Sequence, residues 1–478
     1  MKKKIIRACT VSMSVGFVKG MLPDLTKKYE VVLLSSPGPE MDEAREQYGV
    51  RTIEVPMERH ISPVKDFLSL CRLIRVFLRE RPDMVHSMTP KAGLLCMTAA
   101  WLTRVPVRIH TFTGLVWPTS TGLKRRILML TDAITCWCAT HVIPEGEGVK
   151  ADLLNNGITR KPLRILGYGN VRGIDMQRFK KTTDNTDIAH SEKKNTNCTN
   201  YTNKNKLKTK NKKLKTKNSF EFLFVGRIVG DKGINELVEA FCRLNSEKPE
   251  TRLVLVGFYE QNLDPVSEET HRRIEENPNI IMAGERTGDD LVRSYAEADC
   301  FVFPSYREGF PNTVLEAGAM GLPCIVTDIN GSREIITDIA HADYLTTNRT
   351  NFASKREQCQ TCLSIAEREQ SQDRDSGINT TNFLKTKNKK LKTVPPTDNT
   401  DSHGNLKTKN KKLKTKTNGI IIPPRDAEAL YEAMKMMVTD DNMRGAMAKN
   451  ARQMIESRFE QGFVRKCLYD FYEDILDS

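Results

Sequence analysis

The chain has 478 residues, enough for two to four domains with cores of their own, and a formal charge of +14. That charge is concentrated: residues 181–218 and 339–417 each carry a formal +8, which leaves −2 for the other 361. A near-neutral body argues against a surface built to grip nucleic acid, so no nucleic-acid partner is expected. Twelve cysteines are too sparse for a disulfide scaffold, and most sit in apolar runs, which predicts reduced, buried thiols.

In chain order, Lys2, Lys3 and Lys4 resemble the start of a signal peptide. Arg7 then interrupts the apolar run and no cleavage site follows, so a first strand is predicted over Ile5–Cys9. Further strands are predicted over Val31–Leu34, Met84–His86, Val107–Thr111, His141–Ile143 and Leu163–Leu166. A second series covers Phe222–Val225, Leu253–Val256, Ile280–Ala283, Cys300–Phe303, Cys324–Thr327 and Ile420–Ile422. Helical patterns lie between, among them Val64–Glu80, Leu237–Asn245 and Asp426–Val438, and Asn442–Ser457 and Phe463–Ile475 close the chain. Strands that are apolar throughout, alternating with helices, predict parallel sheets covered on both faces. The fold class is therefore α/β with two doubly wound, Rossmann-like domains facing a cleft: 1–180, then 219–338 continued by 418–441, with closing helices in 442–478. Ligands belong at the carboxyl ends of such strands. No stretch approaches the roughly 20 apolar residues that span a bilayer. The expected location is the cytoplasm or the inner face of the plasma membrane.

The two basic segments, 181–218 and 339–417, share one decapeptide repeated without change at Leu207–Thr216, Leu384–Thr393 and Leu406–Thr415. Their Lys, Asn, Thr and Ser content buries too little apolar area to offset chain entropy, which predicts disordered inserts. No aromatic residues interleave the lysines as a base-stacking platform requires, so a tolerated spacer is favoured over a nucleic-acid or membrane tether. Cys359 and Cys362 form a single CxxC without a second pair, and no metal site is predicted. The second insert interrupts a loop that leads from Asp338 to Asn418-Gly419, and closure entropy grows slowly enough with length to leave the fold intact.

The densest constellation runs from Phe301 to Gly321. A strand ends at Pro304, a loop carries Glu308-Gly309-Phe310-Pro311-Asn312, and a helix begins near Thr313, with Asn312 as its expected cap. Free amides at that helix start suit an anion. Glu308 and Glu316 can accept hydrogen bonds from the hydroxyls of a sugar and a ribose, or be ordinary solvated charges. After another strand, Gly226 and Arg227 precede Asp231-Lys232-Gly233, delivering two cations of the kind a diphosphate leaving group needs. Gly257 and Gly284 follow two more strands and suit a flat base against the backbone.

Val225-Gly226-Arg227, Lys232-Gly233, Glu308 and Glu316 with seven residues between them, and Pro423-Pro424-Arg425-Asp426 occur in order, within a resemblance that covers Met1–Phe179, Ser219–Asp338 and Asn418–Ser478. On these motifs the chain resembles retaining glycosyltransferases of the GT-B fold, family four, of the capsule, O-antigen and exopolysaccharide type. The resemblance implies a hexosyl transfer from a nucleotide-sugar, with UDP preferred by family frequency, to a glycan on a polyprenyl diphosphate. It implies Arg227 and Lys232 on the donor diphosphate, Glu308 on the transferred sugar, Glu316 on the ribose, and backbone near Phe310, Pro311 and Asn312 on sugar and phosphate. No cofactor or essential metal is implied, since the nucleotide-sugar is a co-substrate.

In the first domain, 83–93 and 109–114 resemble cleft-facing loops, with Lys91 in the first. Many relatives place His where Thr113 stands, which leaves His110 as either the polar residue meeting the sugar or a core histidine. Gly16 and Lys19 either line the cleft or start a helix. A helix over Lys65–Arg81, basic and apolar, fits an anionic membrane surface, and equally an ordinary surface helix. Sugar-nucleotide 2-epimerases share the architecture and form the alternative enzyme reading, and a lysine-rich nucleic-acid binder the non-enzyme one.

Overall fold

Buried strands of four to six residues set the architecture of a computed structural model that describes residues 2–180, 219–260, 264–337 and 417–476. The predicted inserts, their repeats and the CxxC pair lie outside the described residues, Thr417 apart. In the first lobe the strands are β1 (Lys4–Ala8), β2 (Glu30–Ser35), β3 (Arg51–Glu54), β4 (Met84–Met88), β5 (Val107–Phe112) and β6 (His141–Pro144). They form one parallel sheet in the order β3-β2-β1-β4-β5-β6. Ile5, Ile6, Val32, Met84, Val85 and Ile109 are fully buried, as strands covered on both faces require. β3 escapes prediction because it is an edge strand whose four residues, Arg-Thr-Ile-Glu, hold a single apolar side chain. The predicted strand at Leu163–Leu166 is reduced to one bridge, Leu163 to Val142.

The second lobe repeats the plan with β7 (Phe220–Val225), β8 (Thr251–Val256), β9 (Ile280–Gly284), β10 (Cys300–Phe303), β11 (Cys324–Thr327) and β12 (Gly419–Ile422). Its order is β12-β11-β10-β7-β8-β9, again parallel throughout. In both sheets the winding direction reverses between the first and fourth strands, β1/β4 and β7/β10. At such a switch point, helices on opposite faces diverge and leave a crevice at the carboxyl edge.

Thr337 and Asn418, far apart in sequence, are tied together in the second lobe by one side chain. Asn418 Oδ1 accepts from the Thr337 amide at 2.9 Å, and its Nδ2 donates to the Ile335 carbonyl at 2.8 Å. The helix Asp441–Arg458 buries Met447, Ala451, Met454 and Ile455, and packs on the second lobe through the helix Asn312–Ala319. The last helix, Gln461–Leu476, returns to the first lobe, where Leu468, Phe471, Tyr472 and Leu476 join the core around Ile5, Leu22 and Leu33. Each large apolar side chain so buried contributes roughly 1.5–3 kcal/mol. The Tyr472 hydroxyl meets the buried Arg7 guanidinium and His86 Nδ1.

Candidate active site between the lobes

The second lobe's crevice opens where β7 and β10 diverge, and those two strands carry Arg227 and the Glu308 loop just beyond their ends. Gly226, Gly257 and Gly284 step along the neighbouring edge: the Gly226 amide bonds to the Val256 carbonyl and the Gly257 amide to the Gly284 carbonyl, each at 2.9 Å. A Cβ on Gly257 would stand 1.8 Å from the Gly226 carbonyl oxygen, so a side chain there is excluded. Nothing lies within 4 Å of the corresponding position on Gly284, which leaves a bare surface at this edge.

Lys232 and Glu308 are in direct contact, Nζ to Oε1, and both are mostly buried. Ser305 Oγ donates to the same Glu308 oxygen at 2.8 Å, and the Lys232 ammonium lies 5.4 Å above the Phe303 ring. The Lys232 loop is fastened to the Glu308 loop by the Tyr306 amide, which donates to the Asp231 carbonyl at 2.9 Å. Arg227 extends to Glu260, with Asp231 4.0 Å away.

Beyond Glu308 the backbone itself forms the contact between lobes. A Cβ on Gly309 would stand 2.1 Å from the Thr113 carbonyl oxygen, so Thr113 and Gly114 of the first lobe touch the Glu308 loop as main chain. The helix Asn312–Ala319 starts one residue earlier than predicted, with Pro311 at its cap position and no side-chain cap. Asn312 therefore does not cap it; its Oδ1 instead accepts from Asn170 Nδ2 at 3.0 Å. Among the described residues the Asn312 and Thr313 amides have no acceptor, as the first amides of a helix should. Phe310 is buried against Phe459. Glu316 is only 4% exposed; it takes a hydrogen bond from the Tyr295 hydroxyl at 3.0 Å, and Arg172 stands 3.6 Å from its other oxygen. Burial pushes its carboxyl above the usual range, against the pull of Arg172.

Several first-lobe expectations change. His110 is a core residue, 1% exposed, with Nδ1 2.8 Å from Ser87 Oγ and its ring packed edge-on against Phe112. A Cβ on Gly93 would strike that ring at 2.4 Å, so His110 fills a slot made by glycine, and burial holds its pKa down at about 3. Lys91 is consumed within its lobe, donating to Asp66 at 2.6 Å and to the His60 carbonyl at 2.7 Å. Lys19 pairs with Glu43, and Gly16 opens a short helix.

Groups that sequence reasoning overlooked join the lobes. Glu260, bound to Arg227, is also 3.6 Å from Arg59 of the first lobe. Glu334 accepts from the Glu147 and Gly148 amides at 2.8 and 3.0 Å, capping a first-lobe helix with a second-lobe carboxylate. Asn330 donates to Asp152 at 2.7 Å. Glu145 is buried just past β6; desolvation, then the charges of Glu308 and Glu334, push it up to about 8. Its place at a strand's carboxyl end was the available signal. Arg172 and Asn170 lie in an aperiodic crossing segment that offered none.

Residues 205–355 match the family described as glycosyl transferases group 1, and residues 25–169 the glycosyl transferase 4-like domain. The chain is 33% identical over 339 residues to the capsular polysaccharide biosynthesis glycosyltransferase CapM of Staphylococcus aureus, covering 70% of this chain and 82% of that one. It is 30% identical over 295 residues to the Escherichia coli UDP-Gal:α-D-GlcNAc-diphosphoundecaprenol α-1,3-galactosyltransferase, covering 60% and 68%. Among solved structures, Anabaena HepE in complex with UDP superposes with a TM-score of 0.64 at 14% identity, over 99% of this chain and all of that one. With the site at the switch point of two Rossmann-like lobes, the chain belongs to the group 1 glycosyltransferases of the GT-B fold, of the capsule and polysaccharide type.

Proposed function

We propose that the protein transfers a hexosyl group from a nucleotide-sugar, UDP-linked by preference, to a glycan carried on a polyprenyl diphosphate, with retention of configuration. The observation that carries this reading is the meeting of Lys232 with Glu308 at the sheet edge that also holds Arg227 and the uncapped start of the helix Asn312–Ala319. Two cations and two free amides at one strand edge suit a departing diphosphate, and a carboxylate among them suits the hydroxyls of the transferred sugar. The E. coli relative, named for a UDP-sugar and a diphosphoundecaprenol-linked acceptor, supports both substrate classes.

In this reaction the bond from C1 to the diphosphate oxygen breaks and the acceptor oxygen bonds to C1 on the same face. The acceptor's proton passes to the departing phosphate. Arg227, Lys232 and the Asn312 and Thr313 amides stabilise the charge that develops there, so no metal is needed. Glu316, with Arg172 beside it, is proposed to meet the ribose, Gly257 and Gly284 the base, and the Thr113 backbone the acceptor side.

An anionic membrane surface is proposed as a further partner. Ten of the sixteen exposed large apolar side chains among the described residues lie between Val64 and Trp137, on three adjacent helices of the first lobe. Val64, Phe67, Leu123, Leu130 and Trp137 stand out among Lys65, Arg72, Arg75, Lys124 and Arg126. Two copies packed face to face would oppose like charges, whereas anionic lipid satisfies both components. No helix among the described residues is long and apolar enough to cross a membrane.

The test is a panel of nucleotide-sugars with membrane-extracted lipid-linked acceptors. One donor should turn over with an α-anomer giving an α-linked product, and Arg227→Ala and Glu308→Ala should each abolish turnover while keeping the fold. Full activity in either variant would refute the site.

A further inference from the structure

A second cationic chamber adjoins the site. An open cavity of about 680 Å³ lies between residues 116–124 of the first lobe and the second lobe, with Lys124 on one wall and Arg307, Arg425 and Tyr306 on the other. Its two acids are already engaged: Asp231 Oδ2 accepts from Arg307 Nη2 at 3.1 Å, and the Asp264 carboxylate accepts the Asp231 amide. Lys124 and Arg425 make no ion pair among the described residues. The lining thus sets three cations against two carboxylates, with Lys124 and Arg425, one from each lobe, outside any ion pair.

Arg425 is held in a conformation that disfavours it. Its φ is 62°, in the left-handed region that glycine occupies freely and a residue with a side chain does not. Its guanidinium lies 4.6 Å over the Tyr306 ring. Tyr306 is fixed in turn by its amide on the Asp231 carbonyl and its hydroxyl on Glu236. Asp231 precedes Lys232 and Arg307 precedes Glu308, so the chamber opens beside the donor groups without sharing their cations. Leu123, next to the cavity-lining Lys124 in sequence, is 73% exposed, with the exposed Ile127 one turn further along the same helix.

We infer that this chamber is the seat of a diphosphate carried on a prenyl-type lipid, with Lys124 and Arg425 holding the phosphates from opposite walls and the lipid stem leaving over Leu123 and Ile127. The inference rests on the lipid-linked acceptor reading above and names its site. A cation pair from two lobes matches a ligand with two phosphates, and an apolar rim beside it matches an attached hydrocarbon.

Equilibrium binding of farnesyl diphosphate to the full chain tests this without turnover. Lys124→Ala and Arg425→Gly should each weaken binding about tenfold, the loss typical of one charged hydrogen bond. Arg227→Ala should leave it within twofold. Glycine suits the left-handed backbone at 425, so misfolding will not account for a loss in Arg425→Gly. Binding lost in Arg227→Ala but kept in the other two variants would put the probe in the donor site and overturn the proposal. In the Arg227→Ala chain, inorganic pyrophosphate binding as tightly as farnesyl diphosphate would overturn the lipid assignment. A chain that binds the probe as expected yet transfers no sugar would sink the transferase reading and leave the chamber standing.

Discussion

The two lobes share a strand order but present their carboxyl edges to the cleft in different ways. In the second lobe the cleft receives side chains: Arg227 just past β7, Lys232 from the next turn, Glu308 from the loop after β10. In the first lobe the polar side chains near the edge are used internally, Lys91 on Asp66, Lys19 on Glu43 and His110 in the core. What that lobe offers its partner is main chain at Thr113 and Gly114, Arg59, Lys124 and Asp152 from its periphery, and a helix start capped by Glu334. One sheet brings charged side chains to the cleft, and the other brings mostly main chain.

The sharpest way to break this comparison is to spoil the fit. Gly309→Ala places a methyl against the Thr113 carbonyl, where neither backbone can yield without parting the lobes. Turnover should fall about a hundredfold, as misplacement of catalytic groups by an ångström does, while far-ultraviolet circular dichroism is unchanged. Turnover within threefold of the parent would show that the lobes need not meet there.

His110 gives the complementary case, a stability effect without a catalytic one. His110→Ala removes a packed ring and should cost about 2–4 kcal/mol in chemical denaturation, with kcat per folded molecule unchanged. A loss of kcat at equal folded fraction would return this residue to the site.

The smallest effect concerns Glu145. A carboxyl raised from 4.5 to about 8 is protonated when folded and ionised when unfolded between those values. Its contribution is complete below about pH 4.5 and is lost as pH rises toward 8. Glu145→Gln should therefore gain stability relative to the parent between pH 5 and pH 8, on the order of 1–3 kcal/mol. Parallel stability curves for the two proteins would contradict the burial of a neutral acid at this junction.

The same contrast explains what could be read from the chain. The second lobe's edge was legible because its groups follow strands of continuous apolar residues at short, fixed intervals, as with Phe222–Val225 before Arg227. Backbone direction then decides where those side chains go. The first lobe was not, because whether Lys91 or His110 faces a cleft depends on partners such as Asp66 and Ser87, distant in sequence. β3 was hidden by its polar edge, and Asn312 was misjudged because Asn170, 142 residues away, takes its side chain. The Glu260 link between Arg227 and Arg59 lies in the same class.

The central claim is that Lys232, with Arg227 and a helix start, stabilises a departing diphosphate. Its most direct test is the single-turnover transfer rate of Lys232→Ala with saturating donor. The rate should fall about a hundred- to a thousandfold, the usual cost of removing one preorganised donor of charge stabilisation, with nucleotide affinity changed far less. A rate within twofold of the parent would contradict it.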